Sequence, residues 1–137
     1  MQTSIIELIP EIGKVRLELP LIQWVKSIEA DKKVQDELLF LLKVYRLTND
    51  CYDERFKGGE KETILSQYLR KMDDYSMFCE DNTYVVAMND IVKANILLRR
   101  GQVKADSFFD PTDDYRQACV ILDQCRNQKE PELLGNL

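Results

Sequence analysis

Histidine is absent from this chain, and with it goes a large part of enzymology. Ser-His-Asp and Cys-His nucleophilic sites, His-ligated zinc and the usual near-neutral general base all require an imidazole. Cysteine is sparse and poorly spaced for metal. Cys51, Cys79, Cys119 and Cys125 include no Cys-x-x-Cys pair, so a zinc ribbon or thioredoxin-like centre has no local support. No apolar run approaches the roughly 20 residues needed to cross a bilayer. Met1 to Ser4 has neither the basic nor the long apolar stretch of a secretory signal. The expectation is therefore free thiols in a reducing, cytoplasmic setting.

Glycine and proline are also few, at five and four copies. What fills the remaining positions of the 137-residue chain is 45% apolar and 31% charged, the balance of one globular domain rather than a disordered or membrane protein. The net charge of −5 is unevenly placed. Residues 1–70 hold 11 basic against 12 acidic side chains, whereas residues 71–137 hold 8 against 12.

Apolar residues recur at threes and fours, predicting an all-α, single-domain bundle of four to five helices. Ile5, Leu8, Ile9, Ile12, Val15 and Leu19 fit a helical stripe that Pro10 and Gly13 interrupt, and Lys14 to Leu19 alternates as a strand would. Residues 1–19 are thus expected to be irregular or extended. Pro20 suits the first position of a helix facing inward with Leu21, Trp24, Val25 and Ile28. Asp31 is placed to cap the next, which carries Val34, Leu38, Leu41, Leu42, Tyr45 and Tyr52 until Gly58-Gly59 ends it.

A third helix follows with Ile64, Leu65, Tyr68, Leu69, Met72, Tyr75 and Phe78. Asp73-Asp74 opposes its C-terminal dipole, which predicts an end or bend there. A fourth starts at Asp81 or Asn82, carries Tyr84, Val85, Met88, Ile91, Val92 and Leu98, and closes at Arg99-Arg100-Gly101. Gln102 to Phe109 reads as an irregular connector. Asp110-Pro111 then opens a fifth helix burying Tyr115, Ala118, Cys119, Leu122 and Cys125, before a loose tail over 128–137. Ala94, Gly101, Ala118, Leu122 and Cys125 resemble the small and bulky positions of a tetratricopeptide helix hairpin. The resemblance stops at about residue 131, has no upstream copy, and departs by an insertion of about a dozen residues at the turn.

No constellation supplies a replacement for histidine chemistry. Asp110, Thr112 and Asp114 begin like a calcium loop, but Tyr115 stands where glycine is needed and Ile121 where the bidentate Glu belongs. Gly58-Gly59-Glu60-Lys61 lacks the spacing and hydroxyl of a phosphate loop. Arg99, Arg100 and Lys104 are read as helix C-terminal charges, and with no basic stripe direct nucleic-acid binding is disfavoured. Cys119 and Cys125 are expected in the core, and Cys51 at the surface, where Asp50 and Asp53 oppose a reactive thiolate.

Two stretches stand out. Asp73, Asp74, Glu80 and Asp81 lie in a segment without a base, and so do Asp106, Asp110, Asp113 and Asp114. Both read either as helix caps and solvated charge, or as an acidic surface for a partner with a basic face. Phe108-Phe109 sits between carboxylates outside any stripe, and either plugs the bundle or anchors a partner. Cofactor and metal are expected to be absent. The function expected is a non-catalytic protein–protein interaction module: a small acidic inhibitor, immunity-type factor, chaperone or regulatory subunit. The partner is another protein, homo-oligomerisation being open, with no direct nucleic-acid or membrane role. The alternatives are a structural subunit or scaffold and, third, a histidine-free carboxylate enzyme.

Overall fold

Three short polar side chains decide where helices begin. Asp31 accepts a hydrogen bond from the Val34 N–H at 3.0 Å, opening a helix over Lys32–Asp53. Asn82, in extended backbone, accepts from the N–H groups of Tyr84 and Val85 and opens a second over Thr83–Asp106. Asp110 accepts from the Thr112 N–H at 2.9 Å and opens a third over Thr112–Asn127. Each satisfies N–H groups that a first helical turn leaves without partners. In this computed structural model residues 18–53, 58–79 and 81–127 are described, and all their elements are helical. We label them α1 (Glu18–Ser27), α2 (Lys32–Asp53), α3 (Gly58–Ser76), α4 (Thr83–Asp106) and α5 (Thr112–Asn127). The chain is an all-α bundle around one core.

Helix α4 is the hub, packed against α2, α3 and α5. It therefore buries side chains around most of its circumference, including Ala87, Ala94, Ile96, Leu97 and Val103 as well as the predicted Val85, Met88, Ile91 and Val92. A helix apolar on several faces is what an enclosed position requires. Leu21, Trp24, Val25 and Ile28 seat α1 in the core, and the Trp24 ring meets Tyr84 edge-on with centroids 6.4 Å apart. Helices α2 to α5 alternate in direction. Tyr75 near the end of α3 donates to Glu37 near the start of α2, while Tyr52 at the end of α2 donates to Asp106 at the end of α4.

Several expectations are corrected. The irregular N-terminal segment and the tail fall outside the described residues, except that Glu18 and Leu19 already belong to α1. Gly58-Gly59 opens α3 instead of closing α2, which ends at Asp53; glycine is accepted at helix starts as well as ends. Helix α3 continues through Asp73-Asp74, where Lys93 of α4 meets Asp73 at 3.0 Å and offsets the unfavourable dipole contact. Phe78 lies past the end of α3 and is 86% exposed.

Arg99-Arg100-Gly101 is not a terminus, because α4 runs on to Asp106 and absorbs most of the expected connector. The expected insertion in the hairpin is thus mostly helix. Gly101 serves close approach: a Cβ there would lie 2.5 Å from Cε1 of Tyr115 on α5. Arg99 is buried, donating to Asn49 and Gln102 over the Tyr52 ring. Among the cysteines Cys125 is buried as expected, whereas Cys51 is buried and Cys119 exposed, the reverse of the expectation for those two.

Candidate interaction surface

The α4–α5 turn combines the least ordinary backbone with the most exposed large hydrophobic side chain of the described residues. Phe109 N–H donates to the Lys104 carbonyl at 2.7 Å and Phe108 N–H to the Ala105 carbonyl at 3.1 Å. That pair of bonds is a Schellman closure, whose central position is left-handed and normally held by glycine. Here it is Phe108, with φ of 65°, the one non-glycine residue with positive φ among those described. The left-handed conformation costs a residue with a Cβ about 1–2 kcal/mol. The Phe108 ring is 98% exposed and Phe109 is 66% exposed. Of the two readings of this pair, the plug is overturned: neither ring enters the bundle.

The turn stands on a built base. Asp114, in the first turn of α5, is 1% exposed and receives both Nε and Nη2 of Arg100, at 3.0 and 2.6 Å. Lys104 reaches the same carboxylate at 3.0 Å, and Arg100 also donates to the Ser66 hydroxyl on α3. Burial pushes the Asp114 pKa up, but hydrogen bonds and charge from Arg100 and Lys104 outweigh it and hold it below the ordinary value. Asp114 was expected on the acidic surface. It lies beneath that surface instead, as the ion pair that ties α5 to α4.

The other acids at this end remain outward. Asp106 accepts from the Tyr52 hydroxyl at 2.9 Å, an arrangement that with burial raises the tyrosine pKa. Asp110 accepts from the hydroxyl and N–H of Thr112, which lowers its own pKa. Asp113 is exposed and receives the Gln117 amide at 2.8 Å. Three accessible carboxylates thus flank the two aromatic rings.

The first acidic segment is elsewhere. Asp73, Asp74 and Asp81 are exposed beside Met77 and Phe78 in the α3–α4 connection, and Glu80 is outside the described residues. Asp81 lies just ahead of the 24 residues of α4 and Asp106 ends them, about 36 Å apart at 1.5 Å per residue. Asp73 sits against Lys93, about 20 Å from Asp106 along the axis. They form two poles, not one surface.

Two features escaped the sequence reading. One is the strain at Phe108, hidden because Arg99-Arg100-Gly101 reads as a helix end. The other is a lateral groove of about 250 Å³ between α2 and α3, beside exposed Leu39, Phe40 and Leu47. Its signal was present as apolar positions on α2 beyond the inward stripe. Among the described residues no group of three or more Cys, Asp or Glu side chains is arranged to hold a metal, and no helix is long and apolar enough to cross a membrane. Comparison with protein-family models, curated proteins and solved structures finds no match to this chain.

Proposed function

We propose that this protein is a non-catalytic interaction module that binds another protein through the α4–α5 turn. Phe108 is the anchor, and Phe109, Asp106, Asp110 and Asp113 surround it. The observation that carries this reading is the Phe108 ring, almost wholly in water on a left-handed backbone. Strain and solvent-exposed aromatic area at one residue are features of recognition sites, where a partner's pocket recovers the apolar surface. The flanking carboxylates suit a partner with a basic rim. Inhibitor, immunity-type factor, chaperone and regulatory subunit are roles such a surface serves, and a cytoplasmic setting belongs to the same proposal.

The decisive variant is Phe108→Gly. Glycine relieves left-handed strain of about 1–2 kcal/mol and adds about 0.5–1 kcal/mol of unfolded-chain entropy, so stability stays level or rises by up to about 1.5 kcal/mol. Affinity capture from native-host extract should lose the partner by roughly tenfold or more, as for a binding hot spot. Equal recovery by wild type and variant would reject the turn as the binding element.

A further inference from the structure

The lateral groove and the α4–α5 turn are complementary in form and in charge. Phe40, Val44, Leu47, Tyr68 and Met72 give the groove its apolar lining, and Lys43 and Lys71 add two ammonium groups. Both lysines are exposed, and neither enters an ion pair among the described residues. The turn offers the reverse: two phenyl rings ringed by Asp106, Asp110 and Asp113. An apolar cavity of about 150 Å³ holds a benzene ring, so the groove's 250 Å³ admits one phenyl side chain with space over.

We infer that the Phe108-Phe109 turn of one molecule seats in the α2–α3 groove of a second copy, with its carboxylates facing Lys43 and Lys71. This rests on the reading of the turn as a binding element and names its partner as the same chain. The two surfaces are unlike, so the contact is heterologous and either closes into a ring or continues as a chain of molecules. One or two aromatic anchors make a small interface, and the net charge of −5 on each copy opposes approach. The association is therefore weak and concentration-dependent.

Sedimentation of the full chain from micromolar to millimolar concentration tests this. Wild type should rise above the monomer mass of 16.1 kDa. Phe108→Gly/Phe109→Ser, which lacks the knob, and Lys43→Glu/Lys71→Glu, which lacks the positive groove, should each remain monomeric, with helical content unchanged and cooperative melting retained by circular dichroism. Mixed together, they should form a one-to-one dimer and nothing larger, because only one intact knob and one intact groove remain. Wild type that stays monomeric throughout, knob-less protein that associates as wild type does, or a mixture that forms no dimer overturns the inference. A benzoylphenylalanine photo-cross-linker at position 108 identifies the occupant. A product joining position 108 to α2 or α3 of an isotopically distinct copy supports self-association. A foreign protein as the sole product overturns self-association while leaving the interaction-module reading intact.

Discussion

Burial on α4 raises the Asp90 carboxyl to about 6, and the nearby Lys93 charge only partly opposes the shift. A carboxyl whose pKa is higher folded than unfolded binds more protons in the folded state across the interval between the two values. The Asp90 contribution to stability is then most favourable in acid and falls as pH rises from about 4 through about 6. Replacing Asp90 by Asn removes that dependence. Near neutrality the variant should be more stable than wild type, by on the order of 1 kcal/mol because solvent reaches part of the group. The advantage should vanish below about pH 4. Urea melts at the two pH values measure it, and parallel curves for the two proteins would show that burial does not act on Asp90. Phe108 differs in kind. Its cost lies in the backbone and in exposed apolar area, and pH does not alter either.

At the scale of helices, α4 and α5 meet most closely where Gly101 faces Tyr115. Alanine at position 101 gains about 1 kcal/mol of helix propensity. It also drives a methyl group into the ring, at an overpacking cost of about 1–3 kcal/mol. Gly101→Ala should therefore lower stability by about 1 kcal/mol, and a melting temperature at or above wild type would mean that Tyr115 yields freely. Local grammar made much of the fold legible beforehand. Asp31, Asn82 and Asp110 cap where side-chain oxygens can reach free N–H groups, and Leu21, Trp24, Val25 and Ile28 share one helical face. Tertiary contacts were not legible. Gly101 looks like a helix end until Tyr115 is placed against it. Arg99 and Arg100 look like terminal charges until Asn49 and Asp114 supply partners from other helices. Cys119 fits the apolar stripe by spacing, yet α5 packs on one side only and leaves it outside. The candidate site was half visible. Phe108-Phe109 and the acids around it were evident as types, whereas the left-handed backbone, the burial of Asp114 and the lateral groove arise from packing.

Over the whole molecule the two base-free acidic segments lie towards opposite ends of α4. Their separation, about 20 Å or more along α4, is more than twice the screening length of about 8 Å at physiological salt. Each pole therefore steers encounters independently. Replacing Asp106, Asp110 and Asp113 by Asn should slow association with the partner bound through the turn and flatten its salt dependence. The same change at Asp73, Asp74 and Asp81 should leave both unaltered; stopped-flow rates across ionic strength distinguish them, and equal effects at the two ends would contradict polar independence. The chain's one tryptophan, Trp24, lies near the pole remote from Phe108, buried against Tyr84. Indole emission consequently reports whether α1 is seated on the start of α4, and occupation of the distant turn is optically silent. A fluorescence melt follows the release of one short helix, and it coincides with the loss of helical ellipticity only when that helix leaves together with the rest.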